Sequence, residues 1–229
     1  MGIDVWELRD RTGLTEPSAG AEQAAPVATG AESLPATEPP PDVHGFDWDP
    51  LNDAIRSCTG CTLHASRTQA VCGVGNHQAD WLVIGEAPGQ EEDRQGEPFV
   101  GRAGQLLNEM LRAIGLQREQ VFIANILKCR PPNNRDPEPD EIATCLPYLQ
   151  RQIALLQPKI ILVVGRIAAH ALLQTTTPIG KLRGNRYEYA GVPMIVTYHP
   201  AYLLRSPSQK SKSWADLLLA VDAMEGRTE

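Results

Sequence analysis

The sequence WLVIGEAPGQEEDRQGEPFVGRAG, residues 81–104, contains a short strand, a tight turn and the approach to a helix. Four apolar residues lead into Gly85, which is the pattern of a strand covered on both faces. Pro88 and Gly89 give the following turn a stiff and tight backbone, so Glu86 is held at the strand end. A carboxylate fixed over a cleft can orient a water molecule or stabilise a developing cation.

Strands and helices alternate through the rest of the chain. Further apolar runs predict strands at residues 121–127, 159–165 and 192–200. Apolar residues at helical spacing predict helices at residues 101–115, 139–157, 166–173 and 213–224. We expect Pro147 to end or kink the second helix, and Ser213 to cap the last one. This alternation predicts an α/β sandwich around a mainly parallel sheet.

Polar groups stand at three of the predicted strand ends. Glu86 follows the first strand, Asn125 lies in the second and His199 stands at the end of the fourth. In parallel sheets, ligands bind outside the carboxyl ends of the strands, so these positions are the first sign of a functional site. The alternatives are an Asn125 amide that bonds only the backbone and a purely structural His199.

Composition separates the N-terminal part of the chain from the rest. Residues 15–45 are rich in Ala, Glu, Pro and Thr and hardly contain an aromatic residue, which predicts a disordered linker. A short apolar cluster at residues 3–8 predicts a weak local helix that docks on the domain or contacts a protein partner. We therefore expect an arm and linker at residues 1–45 and one folded domain at residues 46–229.

The net charge of −7 comes from acidic residues in the N-terminal part of the chain. Residues 1–50 carry two basic and ten acidic residues, whereas residues 151–212 carry nine basic residues and one acid, Glu188. The basic half suits a phosphate backbone, and the alternative is a solvated surface with no partner. No apolar run approaches the roughly 18 residues of a membrane span, and the start lacks the pattern of a signal peptide. We expect a cytoplasmic monomer.

Four of the five cysteines have the spacing of a metal site. Cys58 and Cys61 form a Cys-x2-Cys pair, Cys129 follows after 67 residues, and Cys145 follows after another 15. In a reducing cytosol this pattern favours a metal site over disulfides. Four thiolates suit tetrahedral zinc or an iron–sulfur cluster, and four unrelated buried thiols are the alternative. Cys72 stands alone, as a small buried hydrophobe does.

Two further stretches suggest contacts with a base or with DNA. Phe99 lies between a proline and glycines just before a helix, where its ring either forms a stacking surface or packs in the core. Leu203, Leu204 and Arg205 follow His199 in what we expect to be a loop, and apolar residues beside an arginine suit insertion into a duplex.

Taken together, these motifs resemble the family 4 uracil-DNA glycosylases, the iron–sulfur branch of that superfamily. GEAPGQEED, PFVGRAGQLLN, NILKCRPP and TYHPAYLLR occur in the family's order, and the resemblance covers about residues 51–224. It implies a three-layer α/β/α sandwich and an enzyme of base excision repair. Such an enzyme flips uracil out of DNA, single- or double-stranded, and hydrolyses its N-glycosidic bond to leave an abasic site.

The resemblance also implies roles for individual residues. A structural four-iron, four-sulfur (4Fe-4S) cluster would be held by Cys58, Cys61, Cys129 and Cys145. The catalytic residues would be Glu86 and His199, those binding uracil would be Ala87, Glu92, Phe99 and Asn125, and those contacting DNA would be Leu203, Leu204 and Arg205. Many members of the family have glycine at the position of Ala87.

Two other functions remain open at this point. One branch of the superfamily becomes covalently trapped on uracil through a histidine in an extra basic loop, and residues 175–189 are short and contain no histidine. The second alternative is a non-catalytic DNA-binding module in which the same four cysteines hold a structural zinc ion.

Overall fold

The computed structural model describes residues 42–226. The predicted arm and most of the predicted linker, residues 1–41, lie outside the described residues. Val43 is 2% exposed and belongs to the hydrophobic core, although it precedes the predicted start of the domain. The division of the chain at residue 45 stays a prediction.

Within the described residues the chain alternates between strands and helices. The strands are β1 Val74–Gly75, β2 Trp81–Gly85, β3 Phe122–Asn125, β4 Ile160–Val164, β5 Arg186–Tyr189 and β6 Val192–Thr197. The α-helices are α1 Trp48–Ser57, α2 Gln90–Gln95, α3 Arg102–Ala113, α4 Pro139–Leu156, α5 Arg166–Leu173, α6 Ile179–Leu182, α7 Pro200–Arg205 and α8 Lys210–Met224. The short 3-10 helices are η1 Thr62–Ala65, η2 Arg118–Gln120, η3 Pro132–Asn134 and η4 Pro207–Gln209.

The strands form one mixed sheet in the order β1-β3-β2-β4-β6-β5. The four central strands run parallel, whereas β1 and β5 pair antiparallel at the two edges. The prediction of a mainly parallel sheet is therefore confirmed. The two edge strands were not predicted, because β1 has only two residues and β5 alternates between exposed and half-buried positions.

Alternate residues of each central strand face opposite layers of helices. On one face, Ile84 and Val163 pack in a cluster with side chains of α1, α4 and α5. On the other face, Val83 and Leu162 pack in a second cluster with side chains of α3, α7 and α8. This two-sided burial explains why the strands are apolar runs, and it confirms the three-layer α/β/α sandwich.

The helix α4 continues past Pro147 to Leu156, so the proline does not end it, and a kink there stays a prediction. Buried residues on both sides of the proline, among them Cys145 and Tyr148, anchor the two halves of the helix. One local prediction is wrong. Ser213 does not cap α8, which begins three residues earlier, at Lys210.

Ser213 belongs instead to a buried polar network behind β6. Thr197 Oγ1 donates to Asp216 Oδ2 at 2.8 Å and lies 3.0 Å from Ser213 Oγ, whose hydroxyl can donate to it. Arg183 donates to both carboxylate oxygens of Asp216, at 3.0 and 2.8 Å. The end of β6, two residues before His199, is therefore fixed to α8 by satisfied hydrogen bonds.

Residues 42–226 contain no helix that is both long and apolar enough to cross a lipid bilayer.

Candidate active site

The carboxyl ends of the four parallel strands lie side by side at one edge of the sheet. Glu86 follows β2, and Asn125 closes β3 in register with Gly85. Gly165 follows β4 and donates its backbone N–H to the Thr197 carbonyl at the end of β6, at 3.0 Å. His199 comes two residues later, so the sheet itself brings these groups together.

A cavity of about 730 Å³ opens at this edge of the sheet. Among the residues predicted for the site, those that line the cavity are Glu86, Glu92, Phe99, His199 and Arg205. The cavity is large enough for a flipped nucleotide, since ligand pockets usually measure about 300–1,000 Å³.

Glu86 is half-buried at the cavity wall. The pKa of its carboxyl is raised to about 7, mainly by burial and also by the nearby negative charge of Asp136, while the positive charge of Arg166 opposes both. The backbone at Glu86 is fixed, because its carbonyl accepts the Leu127 N–H at 3.0 Å. Glu86 thus changes charge near neutral pH, as a catalytic carboxylate often does.

His199 is the N-cap of α7, and its ring nitrogen Nδ1 accepts the Ala201 backbone N–H at 3.1 Å. A neutral imidazole that accepts at Nδ1 carries its proton on Nε2. Burial, together with the charge of Arg205, lowers the His199 pKa to about 4, so the ring is neutral at neutral pH. His199 can therefore act as a neutral hydrogen-bond donor through Nε2.

Asn125 is 2% exposed, and its side-chain oxygen Oδ1 has no hydrogen-bond partner in residues 42–226. A buried acceptor without a partner is costly unless a ligand fills the role. Asn125 does not itself line the cavity, but its Oδ1 and the Phe99 ring both lie so close to Gly85 that a Cβ there would collide with them.

The Phe99 ring connects this amide with the imidazole. The ring is 6% exposed, and its centroid lies 5.6 Å from that of the His199 ring at an interplanar angle of 31°. It packs in the second core cluster and also lines the cavity, so core packing is confirmed and the stacking surface stays a prediction.

Glu92 belongs to the helix α2 rather than to a loop. Its Oε1 accepts the backbone N–H groups of Val100 and Gly101, each at 3.0 Å. The carboxylate is thus immobilised at the cavity wall and tied to the segment that carries Phe99. Ala87 is half-buried, packs against the first core cluster and is not among the cavity-lining residues.

The three predicted DNA-contacting residues lie on the helix α7, not on a loop. Leu204 is 37% exposed and Arg205 lines the cavity. Leu203 is 1% exposed and packs in the second core cluster, since it lies on the inner face of the helix. The structure therefore does not support a DNA contact by Leu203.

Sequence reasoning missed an ion pair on the cavity wall. Arg166 donates to the Asp136 carboxylate at 2.6 Å, and both residues influence the pKa of Glu86. Arg166 follows the third predicted strand, so its position at a strand end was a usable signal. Asp136 lies in an irregular segment after Cys129, where no periodicity marks it.

The four predicted ligand cysteines come from separate elements. Cys58 is the C-cap of α1, Cys61 is the N-cap of η1, Cys129 follows β3, and Cys145 is buried in α4. Burial raises the pKa of Cys61, Cys129 and Cys145, the last to about 12.

Each of these three thiols is also affected by the charge of at least one other member of the set. Mutual influence of this kind needs proximity, so the fold brings the four cysteines into one region.

Backbone and side-chain N–H groups surround these sulfurs. Arg67 Nη1 donates to Cys129 Sγ at 3.0 Å, and the backbone N–H of Lys128 donates to Cys145 Sγ at 3.3 Å. Hydrogen bonds to the sulfurs are typical of thiolates that hold iron. No three His, Cys, Asp or Glu side chains of residues 42–226 are placed to hold a metal ion.

Comparison with known proteins identifies the family. The family model described as the uracil DNA glycosylase superfamily matches residues 72–218. The chain is 47% identical over 178 residues to the type-4 uracil-DNA glycosylase of Archaeoglobus fulgidus, and the alignment covers 72% of this chain and 89% of that protein. The proteins of the same name from Pyrobaculum aerophilum and Saccharolobus solfataricus are 43% identical over 182 residues and 48% identical over 168 residues. These alignments cover 76% and 69% of this chain and 93% and 78% of the two relatives. The chain therefore belongs to the uracil DNA glycosylase superfamily and, within it, to the type-4 uracil-DNA glycosylases.

Proposed function

We propose that this protein removes uracil from DNA by hydrolysing the N-glycosidic bond, and that it leaves an abasic site for base excision repair. The observation that carries the proposal is the arrangement at one sheet edge of an ionisable carboxylate, a neutral imidazole donor and a buried amide oxygen that has no partner within residues 42–226. The names of the relatives agree with it.

The Asn125 amide reads the uracil edge in this proposal. Its Oδ1 accepts uracil N3–H and its amide group donates to O4, which gives the orphaned oxygen a partner. Cytosine presents the reverse order of donor and acceptor. A site built around such hydrogen bonds rejects the wrong partner by about 10⁴-fold, because its buried polar groups are then left unpaired.

Phe99 and Glu92 complete the base pocket. The flipped base stacks on the Phe99 ring, a contact that typically contributes about 1–3 kcal/mol. Glu92 excludes the methyl group of thymine by bulk. Its two backbone hydrogen bonds support this role, since a carboxylate held by the Val100 and Gly101 amides cannot easily move aside.

Two side chains stabilise the opposite charges that develop in the transition state. As the glycosidic bond breaks, negative charge develops on uracil O2 and positive charge on the sugar. His199 donates its Nε2–H to O2, while ionised Glu86, with the Ala87 backbone nearby, orients the attacking water and stabilises the sugar cation. The neutral state of His199 suits a donor that binds an oxyanion without giving up its proton.

Access to the base requires flipping, which costs a few kcal/mol of unstacking. Exposed Leu204 and cavity-lining Arg205 are placed on α7 to fill or brace the vacated space. Leu203 has no part in this step and instead anchors the helix to the core.

The cysteines Cys58, Cys61, Cys129 and Cys145 suit a 4Fe-4S cluster, which uses one thiolate for each iron. Four sulfurs on four irons need not converge on one point, in contrast to the ligands of a single zinc ion. The cluster when bound supplies a structural brace between α1, β3 and α4. No step of base removal involves it.

Iron and acid-labile sulfide measurements, with the visible absorption spectrum, test the cluster. Cys145→Ser should abolish the brown colour, whereas Cys72→Ser should keep it, because Cys72 lies outside the set. A colourless wild-type protein that contains zinc would contradict the cluster.

Uracil release is tested with a uracil-containing oligonucleotide followed by alkaline cleavage. Glu86→Gln and His199→Ala should each lower the rate by about 100-fold or more. Glu91→Gln is the matched control, because this exposed acid of the same segment pairs, within the described part of the chain, with the exposed guanidinium of Arg94 and the Gln95 amide. Wild-type protein should turn over many times without a gel-stable adduct. Binding without release would instead favour the non-catalytic module.

A further inference from the structure

The segment of residues 98–101, which carries Phe99, is held on both sides by side chains. Phe99 has a φ of 55°, in the left-handed region, which a bulky residue enters only at an energetic cost. Such a conformation persists only where the surroundings fix it. The contacts that fix the Phe99 backbone therefore also determine the position of the Phe99 ring.

Arg118 provides the contacts on the carbonyl side of this segment. Its Nη2 donates to the Pro98 carbonyl at 2.6 Å, and its Nη1 donates to the Phe99 carbonyl at 3.2 Å. Nη1 also lies 3.3 Å from the Asn108 side-chain oxygen on α3. The planar guanidinium thus spans two successive carbonyls, which a lysine ammonium cannot do with the same geometry.

Glu92 provides the contacts on the amide side, through the next two residues. One backbone group in each of four consecutive residues is therefore fixed by one guanidinium or one carboxylate. Packing closes the remaining side, since a Cβ on Gly104 would collide with the Phe99 carbonyl group. A rotation of the Phe99 backbone would break the Arg118 hydrogen bonds.

Arg118 also lies close in sequence to the second base-reading group. It begins η2, which leads directly into β3, the strand that ends at Asn125. Arg118 is half-buried, and it is the only residue of residues 42–226 whose side chain is seen to bond the carbonyls of Pro98 and Phe99. It connects the segment that carries the stacking ring to the start of the strand that carries the amide.

We propose that Arg118 is a positioning residue for uracil: it fixes the left-handed backbone of Phe99 and so holds the ring where the flipped base stacks. The inference rests on the proposed function, because Phe99 is taken as the stacking surface. Arg118 does not contact the base and takes no part in bond breaking.

The test compares Arg118→Gln with the control Arg112→Gln. The control removes an exposed guanidinium at the end of α3, and the ion-pair partner of that guanidinium is the exposed Glu109. Arg118→Gln should weaken inhibition by free uracil about ten-fold and raise KM by a similar factor, since a misplaced ring loses most of its stacking. The effect on kcat should be smaller. Arg112→Gln should match the wild type in all three quantities.

A double-mutant cycle separates positioning from general damage. In a Phe99→Ala background the ring is absent, so Arg118→Gln should change uracil inhibition by less than about two-fold. Equal effects in both backgrounds, or unchanged uracil inhibition in the single variant, would overturn the proposal. If Arg118→Gln does not fold, Arg118→Lys replaces it and should show a smaller loss with the same dependence on Phe99. A wild-type protein that releases no uracil would instead refute the proposed function.

Discussion

The ionisation of Glu86 gives the sharpest prediction, because activity and stability should change in opposite directions with pH. The carboxyl ordinarily ionises near 4.5, whereas in the folded protein its pKa is about 7, mainly through burial. If the carboxylate form is the active one, kcat/KM should rise with pH and level off above about pH 7. At pH 6, one unit below the pKa, the rate should be about a tenth of the plateau.

The sign of the stability effect follows from proton binding. Between pH 4.5 and about 7 the folded state keeps a proton on Glu86 that the unfolded state has lost, so the free energy of unfolding falls as pH rises. Glu86→Gln removes the ionisable carboxyl and therefore removes this decrease in the free energy of unfolding. At pH 8 the variant should be more stable than wild type by about 2 kcal/mol, somewhat less than the full shift implies, because the cavity admits screening solvent.

The neighbours of Glu86 provide a test by paired substitutions. Asp136→Asn removes the negative neighbour and should lower the midpoint of the pH–rate profile by roughly half a unit to one unit. Arg166→Gln removes the positive neighbour and should raise it by a similar amount. The two changes act on one ion pair, so opposite shifts are hard to attribute to local distortion.

The assay measures kcat/KM for uracil release from about pH 5.5 to about pH 8.5, and urea unfolding at both ends of that range. Glu91→Gln serves as a control that should keep the wild-type profile. A flat profile for wild type, or shifts in the same direction for the Asp136 and Arg166 variants, would refute the assignment of the ionisation to Glu86.

Three other predictions concern the base pocket, the backbone beneath the imidazole and the N-terminal part. Asn125→Ala should lower uracil release by about 10³-fold or more while urea unfolding shows little loss of stability, because the deleted oxygen has no partner in the described part of the chain. Gly165→Ala should lower kcat about ten-fold or more in steady-state assays, since its φ of 108° disfavours a side chain and a Cβ would lie 3.1 Å from the His199 Cβ. Gly45→Ala, where a Cβ meets nothing within 4 Å, should leave kcat unchanged. Deletion of residues 1–41 should leave uracil release unchanged in the same assay, and a loss of activity would show that this part contributes to the site.

The sequence was sufficient for the central sheet because burial on both faces leaves a simple pattern. The run at residues 81–85 agrees with β2 to the residue, and the short helix predicted at 166–173 agrees with α5. The strand ends also predicted the approximate position of the site, since parallel strands that share an edge bring Glu86 and His199 to one cavity.

Features that depend on tertiary contacts were not predictable. Pro147 was expected to end or kink a helix, and the helix does not end there because burial on both sides outweighs the lost hydrogen bond. Leu203 was expected at the surface, but the chain after His199 forms a helix that turns this residue inward. Arg118 carries no sequence signal at all, because its partners are backbone carbonyls about 20 positions away.

The hydrogen bond between the Ala201 N–H and His199 Nδ1 makes the imidazole sensitive to the position of α7, the helix that we propose contacts DNA. Ala201, Leu204 and Arg205 belong to the same short helix, so a duplex that pushes α7 out of place also stretches this bond. A ring released from it is free to exchange tautomers, and the alternative tautomer presents a lone pair at Nε2, where the oxyanion would be repelled. Under the proposed function, docking that leaves α7 undisturbed is therefore a condition for bond cleavage, and the helix would link recognition of the DNA to chemistry at the base.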